Sequence, residues 1–236
     1  MIVAVPGAST GAKEASPTIA GDKGLLVFTS QPGALTELYA LDYFGGSAQA
    51  NHLDALDDGT DQISPRWNVA GTRLYWSRGG KLFSAPYTDG AFGTAAAEPG
   101  LSGETVASIA VSLAETELFY GDNADPTLSQ LHYATRPSTD KPWAAQGVLG
   151  GGVNMGGDSS PALSHDQYTL YWESHRDARG RLYTAVRQQL TGDVFSQIEA
   201  FDELPGSDGD PDLSAHDSVF AYTANNNVYV ATRKCM

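Results

Sequence analysis

The chain has 236 residues, 41% hydrophobic and 18% charged, with 28 acidic against 14 basic side chains and a formal net charge of −14. That length admits one or two domains and the apolar share suits a packed core, while no apolar run approaches the roughly 18 residues of a membrane-spanning helix. So acidic a surface repels nucleic acid and anionic lipid, and a single cysteine, Cys235, excludes an internal disulfide or a thiolate metal centre.

The first segment, Met1 to Val5, is apolar. It is too short for the core of a signal peptide, and no basic stretch precedes it. The residues therefore leave the compartment open between the cytoplasm and export with a leader already removed. Gly7-Ala8-Ser9-Thr10-Gly11 fits the Gly-x-Ser-x-Gly pattern of a nucleophile elbow. Such an elbow must open a helix. Here Ala12-Lys13-Glu14-Ala15 leads into Ser16-Pro17 instead, so the segment reads as a connection.

From Ser16 onward a pattern recurs five times. A Ser-Pro-like corner is followed by an apolar residue three positions after the corner's first residue, then by an apolar triplet ten to twelve positions after it. The copies are Ser16-Pro17, Ile19, Leu26-Val27-Phe28; Ser64-Pro65, Trp67, Leu74-Tyr75-Trp76; Ser108-Ile109, Val111, Leu118-Phe119-Tyr120; Ser160-Pro161, Leu163, Leu170-Tyr171-Trp172; and Asp210-Pro211, Leu213, Phe220-Ala221-Tyr222. The anchors at 16, 64, 108, 160 and 210 lie 44 to 52 residues apart. A period of roughly 40–50 residues built from short strands is that of a β-propeller.

Each copy reads as four strands. The first starts at the anchor, as in Thr18–Ala20 and Arg66–Val69. A turn rich in Gly, Asp and Asn follows, where positive φ is tolerated. The second carries the apolar triplet, and the third is Leu38-Tyr39-Ala40, Leu82-Phe83-Ser84, Leu131-His132-Tyr133, Leu182-Tyr183-Thr184 or Val228-Tyr229-Val230. Candidates for the fourth are Ala48–Leu56, Gly93–Ala97, Ala144–Leu149 and Gln197–Ala200. The fifth copy ends at Met236 before a fourth strand, and Met1–Val5 is placed to supply it. The expectation is an all-β, single five-bladed β-propeller over residues 1–236, with four antiparallel strands per blade. Its ring is closed by the N-terminal strand, so that no strand edge is left unpaired.

Ser64-Pro65-Arg66-Trp67 with Gly71, Ser160-Pro161-Ala162-Leu163-Ser164 with Leu170-Tyr171-Trp172, and Leu182-Tyr183 carry a resemblance to the TolB-like (WD-repeat-like) β-propeller family. The likeness covers about residues 1–234. It departs from the family in having five repeats where six or seven are usual, and in carrying no second domain. The resemblance implies a periplasmic or secreted setting, and members that bind partners or are fused to peptidases.

Antiparallel strands put the connections between blades and the loops between second and third strands on one face. The first set supplies Asp61, Glu104, Asp158, Asp208 and Asp210, and the second supplies His175, Arg176 and Arg179. Function concentrates on such loops, although acidic residues are also ordinary turn formers. The leading expectation is a non-enzymatic, monomeric binding or scaffold protein that holds a protein, a basic peptide or a carbohydrate at this acidic face. The rival is a five-bladed, glycosidase-like enzyme, which would need two carboxyl groups about 5–9.5 Å apart.

No cofactor or metal is expected. His52, His132, His165, His175 and His216 show no His-x-x-x-His spacing. Asp208-Gly209-Asp210-Pro211-Asp212 lacks the Gly and Glu of an EF-hand, so its oxygens could serve calcium only in some other arrangement. The glycines around Asn154 lack the Lys and helix of a phosphate loop. Trp67, Trp76 and Trp172 occupy apolar repeat positions and read as core, whereas Trp143 lies outside them, leaving a surface contact open.

Overall fold

Five antiparallel meanders follow one another along the chain in a computed structural model that describes residues 2–8, 11–20, 23–45, 49–177, 180–202, 209–213 and 219–232. The first blade consists of Lys13–Ala20, Leu25–Gln31, Glu37–Asp42 and Asn51–His52, and the second of Gln62–Trp67, Arg73–Arg78, Lys81–Thr88 and Ala96–Ala97. Ser108–Val111, Glu117–Gly121, Leu131–Thr135 and Ala144–Val148 form the third; Asp158–Leu163, Thr169–Ser174, Arg181–Val186 and Ser196–Ala200 form the fourth. The fifth pairs Gly209–Leu213, Val219–Ala224 and Asn227–Thr232 with the N-terminal Ile2–Ala4. The inner strands contact one another in sequence and the fifth returns to the first, so the blades form a closed ring. Among the described residues the helical structure is one 3-10 turn, Pro6–Ala8, and no helix is long and apolar enough to cross a membrane.

Ring closure by the N-terminal strand is as the repeat count predicts. Ile2, Val3 and Ala4 pair with Ala231, Val230 and Tyr229. The inner strands differ from expectation. In four copies they begin one to three residues before the anchor, and the Ser-Pro corner lies inside the strand as a bulge. Proline has no N–H to give the ladder, so pairing breaks there. The preceding residue is left-handed, with φ of 49° at Ser16, 52° at Ser64, 51° at Ser160 and 52° at Asp210. The third copy has Ile109 in place of proline and pairs without interruption. The outer strands are shorter than the expected spans in the first two blades, and in the second blade Ala91–Phe92 folds back separately on Lys81–Thr88.

The apolar triplets are contiguous because both faces of each blade are covered. Leu74 and Trp76 pack toward the first blade with Val27, while Tyr75 points the other way, to Ile109 and Tyr120 of the third. Phe119 faces the fourth blade and packs with Trp172, whereas Tyr171 faces the fifth, where it meets Phe220 edge-on. The alternation of side chains along a strand thus serves two interfaces at once. Trp143, for which the sequence leaves a surface contact open, is buried: its indole N–H donates to Glu98 Oε2 at 3.2 Å, and the Arg136 guanidinium lies 4.1 Å from its ring centroid.

Trp76 and Trp172 are both fully buried, and truncating either to Ala should cost about 3–5 kcal/mol. They should part company on substitution by Phe. Trp172 Nε1 donates to Asp158 Oδ1 at 2.9 Å, whereas Trp76 Nε1 has no hydrogen-bond partner. Trp172→Phe therefore leaves a buried carboxylate short of a donor and is expected to cost more than Trp76→Phe in denaturant unfolding. Equal losses would show that the Asp158 bond contributes nothing.

Candidate functional site

The four bulges turn Ser16, Ser64, Ser160 and Asp210 toward the channel mouth, where Ser108 of the unbulged copy joins them; together they bring one residue from each blade to a cavity of about 370 Å³. A non-glycine residue in the left-handed region costs of order 1 kcal/mol, so the belt holds strain that regular strands would not carry. Backbone N–H groups freed at the bulges are used to tie blades together. Ser16 N donates to Asp210 Oδ2 and to Thr223 Oγ1, each at 3.2 Å, and Ser160 N donates to Ser108 Oγ at 2.9 Å. Ser160 Oγ donates to Asp210 Oδ1 at 2.8 Å. Both oxygens of Asp210 are therefore occupied by protein donors.

Two further charged side chains line the cup, Glu173 and Lys13. Glu173 follows the triplet of the fourth blade and lies against Gly209, where a Cβ would collide with its carboxylate. His175 Nε2 stands 3.0 Å from Glu173 Oε1. Arg66 lies farther along the channel and lines a second, smaller cavity. This side chain is 3% exposed and crosses the channel, donating through Nε to Ile109 O at 2.9 Å, through Nη1 to Pro17 O at 3.2 Å and through Nη2 to Pro161 O at 3.5 Å. Its Nη1 is 3.3 Å from Asp212 Oδ1, while Asp212 Oδ2 accepts from Ile19 N at 3.1 Å. Burial pushes the Asp212 carboxyl above the ordinary range, against the pull of Arg66 and the Ile19 N–H. That smaller cavity, of about 40 Å³, is lined by both Arg66 and Asp212.

The sequence-predicted residues divide into two groups. Asp210 lines the cup, His175 meets it through Glu173, and the exposed Asp61 holds its rim by accepting from Thr36 N at 2.8 Å. Glu104, Asp158 and Arg176 do not line it. Glu104 accepts from Tyr120 Oη at 3.0 Å, which together with burial raises the Tyr120 phenol. Asp158 is buried against Trp172, and Arg176 donates to it at 3.2 Å. Glu104 bonds a strand tyrosine, and Asp158 with Arg176 ties a loop to its blade, so these side chains are engaged in holding the fold. Asp208 lies outside the described residues, with Arg179 and His216. The alternating carboxylates Asp210 and Asp212 face opposite ends of the channel and are bonded to protein donors, so they do not converge on one calcium. Glu173 and Lys13 were missed from the sequence; the signal for Glu173 was a carboxylate placed directly after an apolar triplet.

No known family model matches the sequence, and no curated protein does. Solved structures match it in shape. A gluconolactonase from Xanthomonas campestris is similar with a TM-score of 0.60 at 11% identity, covering 98% of this chain and 89% of that one. An α-L-arabinofuranosidase from Podospora anserina, solved with cellotriose, has a TM-score of 0.62 at 11% identity, covering 96% and 92%. A TolB protein from Agrobacterium tumefaciens has a TM-score of 0.59 at 15% identity, covering 94% and 76%. At these identities the likeness establishes the β-propeller fold alone.

Proposed function

We propose that the chain is a non-enzymatic binding propeller that receives a basic side chain of a peptide or protein partner in the cup at the channel mouth. The observation that carries this reading is the cup itself. It is a cavity of about 370 Å³ walled by hydroxyls from all five blades, with two carboxylates against one ammonium. A cavity of that size has room for a long side chain, and a chain of net charge −14 draws cationic partners. Asp210 has both oxygens engaged, an arrangement that suits a fixed negative wall better than a group that must pick up and release protons. The reading treats residues 1–236 as a single propeller domain acting as a monomer. A periplasmic or secreted setting follows only from the TolB-like resemblance. Because propellers of similar shape include both enzymes and TolB, the shape itself does not choose between binding and catalysis.

Calorimetric titration with a Lys/Arg-rich peptide tests the proposal. The native protein should bind it, and more weakly at high salt, since charges separated by more than about 8 Å are screened at physiological ionic strength. Glu173→Gln should weaken binding about tenfold, the value of one charge-assisted hydrogen bond of about 1.5 kcal/mol. Lys13→Ala should strengthen it. Absence of peptide binding by the native protein would overturn the reading. So would hydrolysis of an arabinoside or another glycoside that is lost in Glu173→Gln, which would turn the cup into a glycosidase site.

A further inference from the structure

A second cluster lies away from the cup's walls, on the outer part of the first blade. Glu37 opens the third strand of that blade, and His52 ends the short fourth strand, paired opposite Tyr39. The chain then turns through Leu53 to Leu56, held by the hydrogen bonds Leu53 N to Leu38 O and Leu56 N to Leu53 O, and delivers Asp57 back over the strand. Three potential ligand atoms, one each from Glu37, His52 and Asp57, thereby come within 4.8 Å of one another.

Their orientation is set from outside the cluster. His52 Nδ1 is engaged by Asp54 Oδ1 at 2.6 Å, and its ring packs against Tyr39 with centroids 5.2 Å apart. Asp57 Oδ1 accepts from Gly59 N at 2.9 Å and from Gln62 Nε2 at 3.3 Å. The remaining atoms face inward: His52 Nε2 is 3.9 Å from Glu37 Oε2 and 3.9 Å from Asp57 Oδ2. Nε2 is shut off from solvent and has no hydrogen-bond partner. A separation of 3.9 Å is too long for a hydrogen bond. Ligands on a tetrahedral ion with bonds of about 2.1 Å stand roughly 3.4 Å apart, so the two contacts of His52 Nε2, each at 3.9 Å, lie close to that spacing.

We propose that Glu37, His52 and Asp57 form a binding site for a divalent transition-metal ion such as zinc, with Asp54 as the carboxylate that fixes the histidine tautomer. A carboxylate on the non-ligating ring nitrogen is the usual support of a metal-bound histidine. One imidazole and two carboxylates form a donor set that zinc accepts, with a fourth position open to water. The site joins the outer strand of the first blade to the connection that carries Asp61 toward the cup, so the ion would pin that connection. The histidine spacings of the sequence gave no sign of it, because two of the three ligands are carboxylates and the three lie at unrelated positions in the chain.

The test uses the chain stripped with a chelator and then dialysed against Zn²⁺, with bound metal measured by elemental analysis and affinity by calorimetry. One equivalent per chain is expected. His52→Ala should abolish it, Glu37→Gln should weaken it, and Asp54→Asn should weaken it by about 10–100-fold. His132→Ala, which removes a histidine paired with Asp122 elsewhere, should leave it intact. Zinc should also raise the unfolding temperature of the native protein and not that of His52→Ala, with circular dichroism confirming that each variant is folded. No bound zinc, or zinc held equally by His52→Ala, would overturn the proposal and leave His52 as a partner for its three carboxylates. A preference for calcium that survives His52→Ala would overturn it as well.

Discussion

Deletion of residues 1–6 is expected to lower stability by several kcal/mol and to make the protein self-associate. Ile2, Val3 and Ala4 occupy the outer edge of the fifth blade, and Val5 N continues the ladder by donating to Val228 O at 3.0 Å. Val5 is 2% exposed and packs with Ile19, Leu26 and Val230 in the core between the fifth and first blades. Loss of the Val5 side chain alone removes about 1.5–3 kcal/mol of burial. The deletion also uncovers Asn227–Thr232, leaving a six-residue strand with an open edge, and an open edge is a template for pairing with another chain. Thermal unfolding and size-exclusion chromatography of the truncated protein provide the check. An unchanged midpoint with a monomeric profile would mean that the closure does not stabilise the ring.

Arg66→Met and Asp212→Asn should each destabilise by about 3–5 kcal/mol, because either leaves a buried charge without its counter-charge. They should respond differently to acid. In Arg66→Met the Asp212 carboxyl loses the cation that lowers its pKa, while the burial that raises it remains. A carboxyl whose folded pKa exceeds its unfolded value binds its proton more tightly in the folded state. Stability then falls as pH rises through that range and returns as pH falls from neutral toward about 4. Arg66→Met should therefore recover part of its loss on mild acidification. In Asp212→Asn the orphan is a guanidinium, which cannot shed its proton in this range, so no such recovery is expected. Denaturant unfolding of both variants between neutral and mildly acidic pH decides the matter. Parallel pH profiles would show that the ion pair does not carry the closure of the channel.

The repeat made the architecture legible. Five anchors at 44–52 residue spacing and five apolar triplets specify blades whose two faces are both covered, and the N-terminal segment pairs as the outer strand of the fifth. These features are readable because they are local and periodic: alternation along a strand and the chemistry of turns depend only on near neighbours in the chain. The Ser-Pro corner was visible as a marker, but its place inside the inner strand, as a left-handed bulge, depended on where pairing with the next strand began.

The cup was legible only in part, because the sequence places loops on a face without saying which way each side chain turns. Asp158 and Asp210 precede or occupy equivalent corners, yet Asp158 turns inward to Trp172 and Arg176 while Asp210 binds across two blades to Ser160 and Ser16. Arg66 reads as one cation in a Ser-Pro-Arg-Trp strand, and nothing near it in the chain announces a plug. Its partners lie 43, 49 and 95 residues away on three other blades, and Asp212 comes from yet another. Glu37, His52 and Asp57 meet only once the outer strand has paired and the following turn has folded back. Period and composition thus determined the ring and its core, where burial of apolar surface depends on pattern. The tertiary structure alone decided which polar groups meet, since a hydrogen bond or a ligand set requires position to within an ångström that closure of the ring supplies.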